Sequence, residues 1–201
     1  MRFGRRLPRA SFGRPAVEVA PELLGRILVR KLPDGTRLSA RIVETEAYEP
    51  GDPASHAYRG RTPRNSVMFG PPGRLYVYFT YGMHFCMNVV TRPDGEGSAV
   101  LLRAAEPLEG LDAMVERRGT ADVRRLCSGP ARWTQAFGIV RALDGADLVR
   151  GREVWLLEGT PVPAADIATT TRVGVTIGAE HPWRWLVAGD MFVSGGRPAR
   201  Q

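Results

Sequence analysis

The chain has 201 residues, enough for one well-buried domain and too few for two of ordinary size. With 43% hydrophobic and 24% charged residues it is not disordered throughout, and no apolar run approaches the roughly 20 residues of a membrane-spanning helix. Basic residues outnumber acidic residues by 28 to 21, and the net charge of +7 indicates an acidic partner such as nucleic acid.

The first 14 residues are basic and are interrupted by glycine and proline, which predicts a flexible arm before a single domain of residues 15–201. The arm lacks the apolar stretch of a secretory signal. We therefore expect an intracellular protein, in the cytoplasm or at the nucleoid if the source is bacterial. Whether the arm contacts DNA or is only solvated stays open at this point.

The domain begins with a predicted helix and two strands. Residues 15–24 carry an apolar stripe and start with Pro15, which suits a first helical turn. A strand begins at Ile27, and an Asp-Gly pair at 34–35 predicts a hairpin turn. The returning strand covers residues 38–48.

A long loop and a second hairpin follow. Residues 49–74 show no sustained period, and a loop of this length in a compact domain is usually functional or disordered. The sequence then predicts strands at 75–80, 83–90, 99–103, 153–157, 172–177 and 185–193, and helices at 106–118 and at 121–143, the latter interrupted at 128–130. This order predicts one α+β domain with a mostly antiparallel sheet.

Two carboxylates stand beside a tyrosine near the end of the second strand. Because side chains of a strand alternate between faces, Glu44, Glu46 and Tyr48 would share one face. They could form a pocket that opens toward the basic loop. They could instead be salt-bridged groups on an exposed face, and spacing alone favours this second interpretation.

All five tyrosines of the chain lie between positions 48 and 81. In the hairpin, Tyr76 and Tyr78 would share one face while Val77 and Phe79 point to the core. Tyr81 falls at or beside the turn, where a large aromatic ring gains little from burial. Exposed aromatic rings in a basic protein can stack on bases or wedge between them, whereas half-buried sheet tyrosines are common.

Three further polar residues are candidates for a site. Asn88 lies among apolar neighbours and needs hydrogen-bond partners or a ligand. Arg103 ends an apolar run, and Glu46 is a candidate partner for it. His56 could be a base, a ligand or a stacking ring, although a lone loop histidine is most often none of these. The three histidines and two cysteines lack metal-ligand spacing, so we expect no metal site and no cofactor.

Five separated motifs resemble one known family. They are RIVETEAYEPGDPASHAYRG, RTPRNSVMFGPPGRLYVYFTYGMHFCMNVV, AVLLRAAEPLEG, LCSGPARWTQAFGI and TRVGV. In this order they are similar to the alkyladenine (3-methyladenine) DNA glycosylases, the monofunctional mammalian-type enzymes that excise damaged purines. The resemblance extends from about Ser11 to the C-terminal strands.

The resemblance implies a compact domain around a curved antiparallel sheet, with a protruding β-hairpin that enters the minor groove of DNA. It implies that Glu46, the second glutamate of ETEAY, is the general base. Arg103 and the main-chain carbonyl of Val173 would help Glu46 to hold the attacking water. No cofactor is implied.

The resemblance also assigns the base pocket and the DNA contacts. Tyr48 and His56 would sandwich the flipped base with Tyr78, and Asn88 would crowd the 2-amino group of normal guanine. Tyr81 would intercalate into the gap that the flipped nucleotide leaves. Met68 would support the widened stack, and Arg61, Thr62 and Arg64 would lie near phosphates.

The predicted function is therefore a DNA glycosylase of base excision repair that hydrolyses the N-glycosidic bond of alkylated, etheno or deaminated purines in double-stranded DNA. We expect a monomer, which suits a groove binder. One alternative is a non-catalytic nucleic-acid-binding domain of the same architecture, and it would have no need of Glu46. Another is an RNA-directed or formyltransferase-tail-like module, which would show no preference for lesions.

Overall fold

The computed structural model describes residues 4–80 and 82–195 and consists of one eight-stranded antiparallel sheet with three α-helices. This confirms the α+β class. The strands are β1 (Ile27–Lys31), β2 (Arg37–Tyr48), β3 (Leu75–Thr80), β4 (His84–Val90), β5 (Ala99–Glu109), β6 (Val154–Leu157), β7 (Ile167–Thr170) and β8 (Arg184–Val187). The helices are α1 (Ala16–Glu22), α2 (Leu111–Arg118) and α3 (Pro130–Phe137). The described part of the chain contains no helix that is long and apolar enough to span a membrane.

Strand β2 organises the sheet because it has three partners. The strand order is β3-β4-β5-β2-β1-β6, and β8 pairs with both β2 and β7. One edge of β2 pairs with β5, while the other edge pairs first with β1 and then, at residues 44–46, with β8. Register shifts on either side of Glu44 mark bulges, which bend a strand and re-aim its side chains. The acidic end of β2 is therefore enclosed between β5 and β8.

Apolar side chains of the sheet and helices form one large core. α3 contributes Trp133 and Phe137, and α2 contributes Met114, all of them fully buried. The Trp133 and Phe137 rings meet edge to face at a centroid distance of 5.9 Å. This packing holds the α3 end of the molecule against β4 and β5, next to the hairpin of β3 and β4.

The structure corrects several predicted boundaries. Residues 106–109 continue β5 instead of starting a helix, because Pro107 is accommodated opposite Ala40 at a register shift. Gly110, with φ of +76°, then turns the chain into α2. Residues 172–177 form turns around Gly174 instead of a strand, and the strand of this region is β7.

The remaining differences are shorter elements. Within residues 121–143 the predicted interruption is confirmed, but only α3 is α-helical and short 3₁₀ turns flank it. β8 ends at Val187 instead of reaching residue 193. Residues 4–14 lie against the domain and do not extend from it as a free arm. The Leu7 amide donates to the Leu156 carbonyl at 3.2 Å, and Phe12 is fully buried. Whether this segment contacts DNA stays open.

The turn between α1 and β1 gives a test of the fold. Gly25 has φ of +81° and donates to the Ile42 carbonyl, and a Cβ there would lie 2.1 Å from the Thr160 carbonyl oxygen. We expect Gly25→Ala to lower the free energy of unfolding by about 3 kcal/mol, since it combines backbone strain with overpacking. Gly35→Ala is the control, because φ is +91° but nothing lies within 4 Å. Its expected loss is about 1 kcal/mol. Equal losses in urea unfolding would contradict the close approach at Gly25.

Candidate active site

A cavity of about 380 Å³ opens beside the C-terminal end of β2. This volume lies within the range of small-molecule sites. Its lining includes seven residues that the sequence singled out: Tyr48, His56, Met68, Tyr78, Asn88, Arg103 and Val173. Four strands and two loops contribute these side chains, so the fold brings together positions that are far apart in the sequence.

Glu46 is fully buried and contacts three residues that line this cavity. Its Oε1 accepts a hydrogen bond from the Val173 amide at 2.8 Å and lies 3.2 Å from Nη1 of Arg103. Its Oε2 accepts a hydrogen bond from the Tyr48 hydroxyl at 3.0 Å. Two hydrogen bonds and one ion pair thus hold this carboxylate, and each comes from a residue that also lines the cavity. Val173 contacts Glu46 through its N–H, and the role expected for its carbonyl stays a prediction.

A second buried carboxylate holds Arg103 in place. Glu44 is fully buried, and its Oε1 accepts from Nε of Arg103 at 3.0 Å and from Nε of Arg184 at 2.6 Å. The Ser194 amide donates to Oε2 of Glu44 at 2.7 Å. The predicted pairing of Arg103 with Glu46 is confirmed, and Glu44 is an additional partner. The alternative of an exposed strand face is wrong, because Glu44 and Glu46 are fully buried, although both are salt-bridged as that alternative supposed.

Aromatic rings form the opposite wall. Nδ1 of His56 lies 3.0 Å from the Tyr76 hydroxyl, and the rings of His56 and Tyr78 meet nearly perpendicularly at a centroid distance of 4.5 Å. Burial raises the pKa of Tyr76 to about 12, and burial also raises the pKa of Tyr78. Partial burial, together with the Arg64 cation, lowers the pKa of His56. The wall is therefore uncharged at neutral pH.

The Tyr48 hydroxyl is also kept neutral. Burial raises its pKa, and the adjacent Glu46 carboxylate raises it further. Since the neutral phenol is the form that can donate to Glu46, the proton stays on Tyr48 at physiological pH. The side chain of Asn88 donates to the Tyr76 carbonyl at 3.3 Å and lines the same cavity.

Asn65, a residue without a predicted role, anchors part of the loop of residues 49–74. Asn65 is buried, and its Nδ2 donates to the carbonyls of His56 at 2.7 Å and Gly60 at 3.0 Å. Its Oδ1 accepts from the Thr62 amide at 2.6 Å. An asparagine within a run of turn residues is the sequence signal for such hydrogen bonds between a side chain and the backbone. It fixes the path of the loop that carries His56.

The predicted phosphate contacts lie on the outside of this loop. Arg61, Thr62 and Arg64 are exposed, and Arg64 donates to the Phe79 carbonyl at 3.2 Å. Met68 is buried and packs in a cluster with Tyr76, so it reaches the cavity instead of the surface. Each role toward DNA stays a prediction.

The hairpin of β3 and β4 is fully paired from Leu75 to Thr80. Phe79 was expected in the core but is 44% exposed, and its ring lies 5.0 Å from that of Phe85, centroid to centroid. Met83 is 69% exposed. Tyr81, the predicted intercalating residue, lies outside the described residues. Insertion of the hairpin into DNA therefore stays a prediction.

Sequence reasoning also missed an ion pair between Asp52 and Arg172, both fully buried. The two residues are 120 positions apart, and neither has a local pattern that indicates the pairing. For metals, no three His, Cys, Asp or Glu side chains lie close enough to bind one ion within residues 4–80 and 82–195.

Comparison with known proteins identifies similar chains. Residues 10–191 match the family model of methylpurine-DNA glycosylase. The chain is 54% identical over 196 residues to a Burkholderia lata protein named "Putative 3-methyladenine DNA glycosylase", covering 96% of this chain and 92% of the relative. Proteins of the same name from Streptomyces avermitilis (52% over 193 residues, 94% and 90% covered) and Carboxydothermus hydrogenoformans (49% over 188 residues, 94% and 98% covered) are similar over comparable lengths.

The buried charge network can be tested by unfolding. Glu44→Gln keeps the shape of the side chain but leaves Arg103 and Arg184 with one carboxylate fewer, and we expect a loss of about 3 kcal/mol in the free energy of unfolding. The control is Glu18→Gln, since Glu18 is half exposed and lies 3.9 Å from Arg14. Its expected loss is below about 0.5 kcal/mol. Similar small losses in both variants would contradict a structural role of Glu44.

Proposed function

The chain belongs to the methylpurine-DNA glycosylase family, and we propose that it excises alkylated, etheno or deaminated purines that are flipped out of double-stranded DNA. The chain is a DNA glycosylase, a hydrolase that acts on N-glycosyl bonds. The proposed product is an abasic site. One observation supports the mechanism: a fully buried carboxylate, Glu46, is held by two hydrogen bonds and one ion pair from three residues that line an aromatic cavity.

The cavity suits a base that has left the helix. A base inside a duplex cannot present its glycosidic bond to an enzyme, so it must be extruded, at a cost of a few kcal/mol. In the proposed complex the purine lies among Tyr48, His56 and Tyr78. Uncharged rings allow stacking on either face, and cationic alkylpurines gain roughly 0.5–2 kcal/mol from cation–π contacts. Asn88, which lines the same cavity, would crowd the 2-amino group of normal guanine.

The chemical step then needs one base and one water. The C1′–N bond breaks with its electron pair moving to the purine, and positive charge develops on the sugar. Glu46 stabilises this charge and takes a proton from the water whose oxygen bonds to C1′. Arg103 and the Val173 amide hold the carboxylate in one orientation, so no reorganisation is needed during the reaction. The Val173 carbonyl is proposed to help hold the water.

The contacts with DNA are proposed on the cationic surface around the loop and hairpin. Tyr81 would fill the gap left by the flipped nucleotide, and Met68, which lines the cavity, would support the widened stack. Arg61, Thr62 and Arg64 would contact phosphates, which agrees with their exposure. A single chain suffices for this arrangement, so we propose a monomer.

A water nucleophile is favoured over an amine nucleophile. The sequence has one lysine, Lys31, which is exposed at the end of β1 and does not line the cavity. A Schiff-base lyase step needs an amine at the reacting carbon. A non-catalytic DNA-binding domain is the alternative, but it gives no reason to bury a carboxylate under a tyrosine.

The role of Glu46 is tested by Glu46→Gln, which keeps the size of the side chain but removes the base. We expect excision of hypoxanthine, 1,N6-ethenoadenine or alkylated purine from duplex oligonucleotides to fall by at least about 1000-fold. Lesion binding should stay within a few-fold of the parent protein. The measurement is single-turnover formation of alkali-labile sites in EDTA, with Glu18→Gln as the control. Excision at the parent rate would show that Glu46 is not the base.

Tyr81→Ala tests the proposed wedge. A tyrosine that fills the gap offsets part of the unstacking cost, so its loss should slow excision most where the damaged base is firmly paired. We expect a loss of about tenfold or more on a paired lesion and a clearly smaller loss on the same lesion in a mismatch. Equal losses on the two duplexes, measured under single-turnover conditions, would contradict the wedge role.

A further inference from the structure

The buried pair of Asp52 and Arg172 has no part in the mechanism above, although it lies directly behind the cavity. The guanidinium of Arg172 binds both carboxylate oxygens of Asp52, with Nη2 to Oδ1 at 3.1 Å. Nη1 and Nη2 also donate to the carbonyls of Ala47 at 3.1 Å and Gly178 at 3.0 Å, whereas Nε has no hydrogen-bond partner among the described residues. Arg172 thus joins the end of β2, the loop after β2 and the turns before β8.

This pair contacts the proposed catalytic group through two neighbours. The guanidinium carbon of Arg172 lies 4.8 Å from the centroid of the Tyr48 ring, on which it stacks. The next residue, Val173, donates its amide to Glu46 at 2.8 Å. Arg172 therefore contacts one of the two residues that donate hydrogen bonds to Glu46, Tyr48, and directly precedes the other, Val173.

The segment around Val173 has few other attachments. Residues 172–177 form no strand, and Val173 is 47% exposed. Within this segment, the described hydrogen bonds to the rest of the chain come from the Arg172 guanidinium and the Val173 amide. Removing the partner of Arg172 would leave a buried cation unpaired and would release the segment from the loop.

Asp52 also reaches the aromatic wall. Its Oδ1 accepts from the Ala54 amide at 3.0 Å, and Ala54 lines the cavity two positions before His56. One carboxylate is therefore connected both to the Tyr48 side and to the His56 side of the cavity. Among the described residues of the loop, Asp52 alone has a side chain that contacts both Arg172 and the backbone next to His56.

We propose that Asp52 is a positioning residue for excision: through Arg172 it sets the Tyr48 ring and the Val173 amide that orient Glu46. This inference rests on the proposed function and specifies what holds its catalytic geometry. A misplacement of about 1 Å in a catalytic group costs up to about 100-fold in rate. The expected effect is therefore on the chemical step and on lesion preference, with little change in general affinity for DNA.

Asp52→Asn is the test variant, and Asp190→Asn is its matched control. Asp190 is partly buried, pairs with Arg41 at 2.7 Å and accepts the Phe192 amide through Oδ1 at 2.9 Å, so it has the same two kinds of contact as Asp52. It contacts β2 at Arg41, seven positions before Tyr48. We expect Asp52→Asn to lower the excision kcat by about 10- to 100-fold with KM within about threefold, and Asp190→Asn to leave both within about twofold.

A second readout separates positioning from a general loss of stability. In the Glu46→Gln background, adding Asp52→Asn should reduce the ratio of lesion binding to undamaged-duplex binding by about two- to threefold, because the Tyr48 wall shifts. Adding Asp190→Asn should leave the ratio unchanged. Thermal unfolding midpoints of all variants are measured in parallel, and assays are run well below them.

The outcomes are distinct. If the parent protein excises no damaged purine, the proposed function fails and the inference fails with it. If the parent excises but Asp52→Asn matches Asp190→Asn in kcat and in binding ratio, only the positioning role is overturned. Should Asp52→Asn not fold, Asp52→Glu keeps the charge and moves the carboxylate by one methylene. Its expected kcat is about tenfold lower, and an unchanged kcat would overturn the inference.

Discussion

The structure depends on ion pairs between buried carboxylates and buried guanidinium groups. Glu44, Glu46 and Asp52 are fully buried carboxylates, and Arg103, Arg184 and Arg172 are the buried guanidinium groups that contact them. An unpaired charge in such a place costs several kcal/mol, so each group constrains the position of its partner. Arginine suits this task because its planar donor fork fixes direction as well as charge. Within this set, Arg103 contacts Glu46 directly, and Arg172 is connected to it through Tyr48 and Val173.

The sheet makes that arrangement possible. One edge of β2 pairs first with β1 and then with β8. Bulges flank Glu44, where the pairing partner changes. A regular strand would place Glu44 and Glu46 on an open face. Here β8 brings Arg184 to Glu44, and the turns before β8 bring Val173 to Glu46. The same strand end carries Tyr48 into the cavity.

The cavity and the surface divide the proposed task between them. Uncharged aromatic rings inside the cavity suit stacking on a base and do not select a sequence. The exposed arginines of the loop and the net charge of +7 supply a grip on phosphates that is independent of sequence. Search along DNA would then depend on the exposed arginines, and recognition of damage would depend on the aromatic rings of the cavity. The hairpin would connect these two regions.

The sequence predicted local features well and distant pairings poorly. Strand alternation correctly placed Glu44, Glu46 and Tyr48 on one face, and the arginine at the end of an apolar run correctly suggested the contact of Arg103 with Glu46. Spacing could not tell that the face is buried, because β8 comes 140 positions after Glu44. The pairing of Asp52 with Arg172 had no signal for the same reason.

The boundary errors also have physical causes. Pro107 suggested a first helical turn, but a register shift in the sheet accommodates it within β5. The apolar residues at 172–177 suggested a strand, but Gly174 at φ of +72° turns the chain there. In both places, tertiary pairing or a single glycine overrides the local pattern.

The most direct test of the account is a crystal structure of the Glu46→Gln variant bound to a duplex that contains 1,N6-ethenoadenine. The account predicts that the damaged base lies outside the helix, in the cavity between Tyr48 and His56, with its sugar C1′ facing position 46. A damaged base that stays stacked in the duplex, or that lies on another surface of the protein while the cavity holds no part of the DNA, would contradict it.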